Sequence, residues 1–383
     1  MKIGYDGKRA YQNKTGLGNY IRSLIAILTK HYPEQEYVLF APKKTALFNE
    51  KEFVHTSAVF PKSHAGRRFP SLWRSRWMLK DIVNAKIDVF HGVSHQLPAG
   101  INKTTVKSVV TVHDLIFERF PDTYHFDERY VHRWKIKHAC KVADAIVAIS
   151  KQTKDDLINY YHIREQKITV CYQSCNPIFQ RKVDAEEKSI VKKRYGLPDE
   201  YFLFVSSVAP RKNLIAVCKA MIMHKSSSVI PLVIIGNGKK EKEEVKLLMH
   251  ENGIGNRLIF LNELPQSKED NFTSAHDFPA IYQQAIALIY PSIFEGFGAP
   301  LLEAMWSGLP VICSNTSCLP EVGGDAAAYF DPHDYQQISS AMLQVASDAP
   351  LRKNMIEKGF IQAGKFTTQQ YAADMMAVYK KLV

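Results

Sequence analysis

Short runs of apolar, largely β-branched residues alternate along the chain with longer segments in which apolar residues recur every three or four positions. The short runs are typical of strands buried on both faces of a parallel sheet, and the longer segments are typical of amphipathic helices. Alternation over a whole chain is characteristic of proteins in which helices cover both faces of parallel sheets. The pattern therefore predicts an α/β fold.

The alternation runs through two consecutive series. The first predicts strands at 2–7, 37–42, 89–92, 108–114, 145–150 and 168–172, with helices over 18–32, 127–143 and 151–161. The second predicts strands at 201–207, 229–235, 257–262, 285–290, 309–315 and 327–331, with helices over 213–224, 240–253, 278–284 and 299–308. Two series of this kind predict two doubly wound, Rossmann-like domains that face a central cleft, because ligands bind beyond the carboxyl ends of parallel strands.

The boundary between the domains is expected where the pattern breaks at a proline, within 174–182. We predict an N-terminal domain over 1–175 and a C-terminal domain over 176–365. The last segment, 366–383, is predicted to be a helix that packs back on the N-terminal domain.

Composition excludes several classes of protein. Of the 383 residues, 46% are hydrophobic and 23% are charged, which is ordinary for a folded globular chain and disfavours a disordered one. The six cysteines form no CxxC pair, so neither a disulfide framework nor a structural metal is expected. The first residues lack the apolar stretch of a signal peptide, and no apolar run has the length of a membrane span. These features predict a cytoplasmic protein.

The charge is high and unevenly distributed. The chain has a net charge of +12, and residues 1–175 hold 28 Lys and Arg against 16 Asp and Glu, so the whole excess lies in this part. Such an excess indicates a polyanionic partner: nucleic acid, an anionic membrane surface or a phosphate-rich substrate.

The segment 290–315, YPSIFEGFGAPLLEAMWSGLPVICSN, carries the most specific chemical pattern. Glu295 lies in a glycine-rich loop, Pro300 suits a first helical turn, and Glu303 lies within the helix. The N-terminal amides of this helix favour an anion such as a phosphate, and two nearby carboxylates can accept hydrogen bonds from sugar hydroxyls. The alternative is an ordinary helix start with two solvated glutamates.

EGFGAPLLE within this segment is similar to the Glu-x7-Glu motif of the retaining glycosyltransferases of family 4, which have the glycosyltransferase B fold. The resemblance covers nearly the whole chain and includes mannosyltransferase-like members. Five further segments resemble family motifs in the same order: TGLGNY (15–20), VVTVHD (109–114), ADAIVAISKQTKDDLI (143–158), VAPRKNL (208–214) and LPEVGGDAAAYFDP (319–332).

The resemblance implies a donor site in the C-terminal domain. Arg211 and Lys212 would hold the diphosphate of a nucleotide sugar, for which fixed cations and amides stabilise the charge that grows on the leaving group. Many family members have Gly-Arg where this chain has Ser206-Ser207, and Arg211 is expected to supply that charge. A solvated basic turn is the alternative interpretation of this loop.

The remaining donor contacts follow from the same resemblance. Glu295 would face the donor sugar and Glu303 the ribose hydroxyls, while Gly298 and Leu301 would bind the donor at the start of the helix. No Asp-x-Asp motif is present, so neither a metal nor another cofactor is expected. The base of the nucleotide sugar is expected to be bordered by segments 236–240 and 260–265. The stretch 265–280 is a candidate lid or specificity insertion.

The N-terminal domain is expected to supply a second set of residues. By resemblance, Gly16 and Gly18 let their loop approach the donor phosphates and the acceptor, and His113 lies beside the transferred sugar. His113 and Glu295 are thus the predicted catalytic residues. A plain turn and a structural histidine are the alternatives, and Asp114 is expected to be structural or to lie on the acceptor side.

Basic and aromatic residues alternate within 64–83, at a spacing that suits an interfacial helix on anionic lipid. The residues concerned are Arg67, Arg68, Trp73, Arg74, Arg76 and Trp77. They are candidates for membrane or acceptor binding, although a core helix with a solvated basic face has the same pattern. Nucleic acid is disfavoured because no recognition helix, RNP or zinc pattern is present.

Together these features predict a metal-independent, retaining transferase that moves a hexosyl unit from a nucleotide sugar to a glycan or lipid-linked glycan, at the inner face of the plasma membrane. Mannose from GDP-mannose is the preferred donor, and UDP-glucose stays open. A nucleotide-sugar epimerase or phosphorylase on the same fold and a non-catalytic subunit of a glycan-assembly complex are the alternatives.

Overall fold

The computed structural model describes residues 1–224 and 230–383, which form two compact units. Unit 1 comprises Met1–Gln173 and Thr368–Val383, and unit 2 comprises Ser174–Thr367. Each unit is a parallel sheet covered by helices, so the prediction of two doubly wound α/β domains is confirmed. The roles of acceptor and donor domain stay predictions.

The strands are β1 Lys2–Asp6, β2 Glu36–Phe40, β3 Thr56–Val59, β4 Val89–Gly92, β5 Lys107–Val112, β6 Ala145–Ala148, β7 Ile168–Val170, β8 Phe202–Val205, β9 Leu232–Ile235, β10 Leu258–Phe260, β11 Ala287–Tyr290, β12 Val311–Ser314 and β13 Ala327–Phe330. The helices are α1 Lys8–Gln12, α2 Gly16–His31, α3 His64–Arg68, α4 Pro70–Leu72, α5 Met78–Asn84, α6 Ile116–Arg119, α7 Phe126–Val142, α8 Lys151–Tyr161, α9 Ala185–Tyr195, α10 Leu214–Ile222, α11 Lys240–Glu251, α12 Asp270–Thr273, α13 Phe278–Tyr282, α14 Ala299–Trp306, α15 Leu319–Gly323, α16 Tyr335–Ser347, α17 Ala349–Ala363 and α18 Thr368–Lys380.

The sheet of unit 1 has the order β3-β2-β1-β4-β5-β6-β7, with every pair parallel. The strand order reverses between β1 and β4, and such a switch point opens a crevice beyond the carboxyl ends of the two strands. Residues 108–112 of β5 are fully buried, as in a parallel sheet that is covered on both faces, and Ser108 and Thr111 are the polar members of this run.

Helix α18 packs on α2 within unit 1 and contributes Met375, Met376 and Tyr379 to its core. The hydroxyl of Tyr379 lies 2.7 Å from Nδ1 of His91, whose Nε2 lies 2.7 Å from the Thr111 hydroxyl. This buried polar chain fixes α18 against β4 and β5.

The sheet of unit 2 has the order β10-β9-β8-β11-β12-β13 and is also parallel throughout. Its switch point lies between β8 and β11. The strand predicted over 229–235 corresponds to β9, and Val229 lies outside the described residues.

Two local predictions differ from the structure. The basic segment 64–83 is not one helix, because Pro70 removes a backbone donor and α3 ends at Arg68. The chain continues through α4 and a π-helical turn over Trp73–Trp77 into α5. Strand β3 was not predicted, because this short edge strand is only half buried and lacks a long apolar run.

Candidate functional site

The switch point of unit 2 brings together two loops that the sequence singled out. The loop after β8 carries Arg211 and Lys212, and the loop after β11 carries Glu295. The two loops are tied by a hydrogen bond of 2.9 Å from the Ile293 N–H to the Arg211 carbonyl. Asn213, in the left-handed region at φ 57°, donates its side-chain amide to the Pro332 carbonyl over 2.7 Å, which holds the start of α10.

Both predicted cations converge on the predicted glutamate. The Lys212 ammonium donates to Oε1 of Glu295, and the Arg211 guanidinium lies 3.3 Å from Oε2. Arg211 also donates to the carbonyl of Phe294, and the Tyr290 hydroxyl donates to Oε1 of Glu295 over 3.0 Å. Lys212 and Glu295 are each less than one-tenth exposed, so this is a desolvated charge cluster rather than a solvated basic turn.

Glu295 is anionic in this cluster. Burial by itself would raise the pKa of the Glu295 carboxyl, but the charges of Lys212 and Arg211 outweigh burial and hold the pKa below its usual value. The cluster therefore contains two cations and one anion. It carries one net positive charge at the place where the sequence predicts a diphosphate.

Gly298 begins the helix that follows this loop. It adopts φ +91°, a conformation that favours glycine, and a Cβ at this position would lie 2.8 Å from Cδ2 of Leu319, so that side chain would have to move. Leu301 is fully buried, and its N–H donates to the Gly298 carbonyl over 3.0 Å. In the structure Leu301 packs in the interior of unit 2 and closes the first turn of the helix. Donor binding by this residue stays a prediction.

Glu303 lies one turn further along α14, apart from the cations. Its carboxylate accepts a 2.7 Å hydrogen bond from the Tyr282 hydroxyl. Although Glu303 is only partly buried by surface area, the surrounding protein displaces water from its carboxyl group and raises the pKa to about 7. The Tyr282 bond opposes this rise but does not cancel it.

The segments predicted to border the base lie beside the β8 loop. A Cβ on Gly236 would lie 1.7 Å from the Ser206 carbonyl oxygen, and one on Gly238 would lie 2.4 Å from that of Val208. The Gly236 N–H donates to Oδ1 of Asn262 over 2.6 Å. The glycines of 236–240 thus allow close packing of backbone segments. A contact of this segment with the base of the nucleotide sugar stays a prediction.

The candidate lid, 265–280, is packed onto the rest of unit 2. Asp277, in this segment, accepts hydrogen bonds of 2.7 Å from Arg194 and 2.8 Å from Tyr195 of α9. Phe272 is buried against the Tyr195 ring. These contacts are those of an anchored insertion, and its role as a lid stays a prediction.

His113 directly follows the last residue of β5 in unit 1, at the end of the strand where the sequence predicts it. Nε2 of His113 lies 2.8 Å from the Val93 carbonyl, so this nitrogen carries the proton. Burial lowers the pKa of His113 to about 4, despite the opposing effect of this hydrogen bond. The ring is therefore neutral at pH 7. Asp114 accepts from the Ile116 N–H over 3.1 Å at the start of α6.

Two neighbours of His113 were not identified from sequence. The His113 backbone N–H donates to Nε2 of His95 over 2.8 Å, and the Tyr20 ring meets the His113 ring edge-on at 4.6 Å between centroids. Tyr20 belongs to the TGLGNY motif, and His95 adopts φ 61°, which is uncommon for a residue other than glycine. His95 could have been identified from the sequence as a histidine that follows the buried strand β4.

Gly16 and Gly18 occupy the first turn of α2 rather than a free loop. A Cβ on Gly18 would lie 1.9 Å from the carbonyl oxygen of Asn13, whereas no atom lies within 4 Å of a Cβ on Gly16. Local packing thus accounts for Gly18, and the open space beside Gly16 fits the predicted approach of a ligand.

Replacing these two glycines by alanine should have opposite effects on stability. We expect Gly18→Ala to destabilise unit 1 by about 1–3 kcal/mol, because the added methyl group meets the Asn13 carbonyl, which accepts a 2.9 Å hydrogen bond from Arg22 of α2. Gly16→Ala should leave stability within about 0.5 kcal/mol. Denaturant unfolding measures both, and equal stabilities of the two variants would contradict the packing argument.

The predicted membrane or acceptor residues fall into two groups. Arg67, Arg68, Arg76 and Trp77 are exposed to solvent. Trp73 and Arg74 are buried: the Trp73 indole N–H donates to Asp81 over 2.9 Å, and the Arg74 Nε donates to Asp6 over 2.7 Å. Both side chains are thus held inside unit 1 and are not available at its surface.

A different helix of unit 1 exposes large apolar side chains. On α7, Phe126, Tyr130 and Trp134 are 83%, 62% and 59% exposed and are spaced four residues apart, so they share one face. Lysines and arginines flank this face. Across residues 1–224 and 230–383, none of the helices has the length and apolar character needed to cross a membrane. Within the same residues, no group of three His, Cys, Asp or Glu side chains could hold a metal ion.

Two protein-family models together match most of the chain. The sequence model of the family described as Glycosyltransferase Family 4 matches residues 15–177, and that of Glycosyl transferases group 1 matches residues 186–362. The two matches follow one another and correspond closely to unit 1 and unit 2.

Curated proteins from enteric bacteria are similar to the chain. O-antigen chain mannosyltransferase B of Escherichia coli is 28% identical over 81% of this chain and 77% of its own length. O-antigen chain mannosyltransferase RfbU of Salmonella typhimurium is 28% identical over 66% of this chain and 63% of its own length. The serotype-specific mannosyltransferase WbdA of Escherichia coli is 30% identical over 73% of this chain, which spans about a third of WbdA.

Solved structures share the fold at low sequence identity. The Anabaena protein HepE, solved in complex with UDP and glucose, superposes with a TM-score of 0.77 and 15% identity over the whole of both chains. WaaG, a glycosyltransferase involved in lipopolysaccharide biosynthesis, gives 0.73 and 14% over 98% of this chain and 99% of its own. At these identities the likeness is one of fold.

Proposed function

Because this chain belongs to glycosyltransferase family 4, we propose that it is a retaining hexosyltransferase that moves mannose from GDP-mannose to a glycan or lipid-linked glycan. The observation that carries the proposal is the cluster of Arg211, Lys212 and Glu295 at the switch point of unit 2. A nucleoside diphosphate is the leaving group in this reaction, and the cluster offers two fixed cations to it.

The chemistry depends on charge that grows as the sugar leaves. When the bond between the anomeric carbon and the diphosphate breaks, negative charge accumulates on the phosphate oxygen and positive charge on the sugar ring. Arg211 and Lys212 lower the barrier by stabilising the phosphate, since they are already held in place before the reaction begins. They take the neutralising role that a metal ion performs in other phosphate-transfer sites, and the reaction is proposed to proceed without one.

Glu295 orients the two cations and carries the only carboxylate among the three side chains of this cluster. We assign it no covalent step, because its carboxylate is already bound by Lys212, Arg211 and Tyr290. The acceptor hydroxyl instead attacks from the face that the diphosphate leaves, and the departing phosphate oxygen takes the hydroxyl proton. Attack on that face retains the anomeric configuration. His113, neutral at pH 7 and with its Nε2 proton donated to the Val93 carbonyl, is proposed to accept a hydrogen bond from a hydroxyl of the transferred sugar at Nδ1.

The choice of mannose rests on the relatives. Their printed names describe mannosyltransferases of O-antigen chains, and we propose the same sugar and a cell-surface glycan acceptor for this chain. UDP, found in the HepE structures, makes a uridine-linked donor the competing candidate. The exposed apolar face of α7, flanked by basic residues, supports a peripheral contact with an anionic membrane that carries a lipid-linked acceptor.

Glu303 should make donor binding depend on pH. With a pKa of about 7, the Glu303 carboxyl is mostly protonated at about pH 6 and mostly ionised at about pH 8. Only the ionised form accepts hydrogen bonds from both hydroxyls of a ribose, so the donor KM should fall, by up to about tenfold, as the pH rises across this range. The sugar diphosphate itself does not titrate there. In Glu303→Gln the KM should be higher at about pH 8 and nearly constant with pH; an unchanged profile in this variant would contradict the role.

Incubation with single nucleotide sugars tests the proposed function. GDP-mannose should yield GDP slowly without an acceptor and rapidly with one, while UDP-sugars should react more slowly. Conversion of a donor into a different free nucleotide sugar would indicate an epimerase instead. Binding without any turnover, even with an acceptor glycan present, would indicate a non-catalytic subunit.

A further inference from the structure

Unit 1 contains a cavity of about 550 Å³ at the carboxyl-end edge of its sheet. The lining residues follow three neighbouring strands: Lys8 comes after β1, Lys43 and Lys44 after β2, and Phe60 after β3. Arg67 of α3 closes another side. Ligands of parallel α/β sheets bind beyond this edge, and the volume lies within the range of ordinary ligand pockets.

The cavity is strongly positive. Its lining includes four cations and no carboxylate. Lys44 is neutralised by Glu50 at 2.7 Å, but in the part of the chain that the structure describes, no carboxylate lies within ion-pair distance of Lys8, Lys43 or Arg67. A group of cations without counter-charges gives the cavity a positive potential, which attracts an anion.

The positive region continues beyond the cavity through Lys8. Burial lowers the pKa of Lys8, and the nearby charges of Arg74 and Arg9 lower it further. Arg9 and Lys135, like Lys8, form no ion pair within residues 1–224 and 230–383, and the buried Nε of Arg9 has no hydrogen-bond partner. Arg74 is the exception, since Asp6 holds it.

The lining fits a phosphate better than other anions. The Arg67 Nε donates to the Pro61 carbonyl over 3.1 Å, which fixes the guanidinium and leaves its terminal nitrogens for a bidentate partner such as a phosphate. Three cations without a carboxylate partner favour a multiply charged phosphate or diphosphate, whereas one carboxylate would leave two of them uncompensated. Phe60 and three prolines form the apolar part of the wall, while Lys43 and Arg67 stay open to solvent at its rim.

We propose that this cavity binds the phosphate or diphosphate group of a phosphorylated acceptor. The identification of the ligand as an acceptor rests on the proposed function, whereas the preference for phosphate rests on the charges of the cavity alone. Part of the excess positive charge of residues 1–175 thereby receives a proposed function. Lys8, Lys43 and Arg67 are its binding residues.

Calorimetric titration with inorganic pyrophosphate tests the site. The full chain is first saturated with both GDP and UDP, which occupy the donor site of unit 2. Wild-type protein should then bind pyrophosphate, and the double variant Lys8→Met/Lys43→Met should bind it at least tenfold more weakly. Lys103→Met is the matched control and should bind as wild type does, because Lys103 precedes β5 and therefore lies at the opposite edge of the sheet. Unchanged nucleotide binding by each variant checks that unit 2 is folded.

Two results would overturn the proposal. One is an absence of pyrophosphate binding by the wild type, and the other is equal binding by the double variant. Binding to vesicles of phosphatidylcholine and phosphatidylglycerol is measured in parallel. If the double variant loses vesicle binding while the wild type binds no pyrophosphate, the cations serve a membrane surface and the acceptor site is rejected. A chain that binds pyrophosphate here but cleaves no nucleotide sugar would contradict the proposed function and leave the phosphate site standing.

Discussion

Lys212→Ala should lower kcat for transfer by about 10²–10³-fold, the loss seen when one fixed donor to a developing anion is removed. The ammonium is buried and donates to Glu295, so its charge is already in place before the donor binds. Donor affinity should fall as well, since the same charge contacts the diphosphate before the reaction. Steady-state kinetics with GDP-mannose measure both effects.

The control for Lys212 is Lys193→Ala, which removes a solvent-exposed lysine from α9 of the same unit. Its kinetics should match those of the wild type, because Lys193 is not part of the Arg211–Lys212–Glu295 cluster. Both variants lose one positive charge, so the comparison controls for the change of net charge. If Lys212→Ala retained wild-type kcat and donor KM, the diphosphate role of the β8 loop would be wrong.

Glu295→Gln should reduce stability and activity together. The substitution leaves Lys212 and Arg211 desolvated without a counter-charge, and breaking a buried pair in this way costs about 3 kcal/mol. We therefore expect Tm to fall by about 6–12 °C. Saturating GDP should restore more Tm in this variant than in the wild type, because its diphosphate replaces the missing anion. Thermal unfolding with and without GDP measures the difference.

Glu187→Gln is the matched control for this substitution. Glu187 also forms an arginine pair in unit 2, with Arg181 at 2.6 Å, but its side chain is 26% exposed, against 9% for Glu295. Its loss should cost less than about 1 kcal/mol, and GDP should stabilise this variant no more than the wild type. Equal behaviour of the two glutamine variants would mean that the buried cluster has no special relation to the diphosphate.

The sequence predicts the central strands and the switch-point loops well, for a physical reason. Strands buried on both faces are largely apolar, as β11 is throughout, and the polar residues that follow such strands lie at the edge where ligands bind. Arg211, Lys212 and Glu295 could therefore be assigned to one edge before their contacts were known.

Contacts between distant segments were not predictable in this way. Arg74 is drawn inward by Asp6, 68 positions earlier, and nothing in the local pattern distinguishes it from the exposed Arg76. The partner of Glu303, Tyr282, comes from α13, and the cavity of Lys8, Lys43 and Arg67 forms only when three strands align. Local periodicity fixes which face of an element is buried, whereas such side-chain pairs depend on the packing of whole elements.

The stereochemistry of the sugar product tests the central claim most directly. Proton NMR of the first product formed from GDP-α-mannose reports the configuration at the anomeric carbon before any mutarotation. Our account predicts an α-linked mannoside, formed at a rate that collapses in Lys212→Ala and survives in Lys193→Ala. A β-linked product, or an α-linked product formed equally fast by both variants, would contradict it.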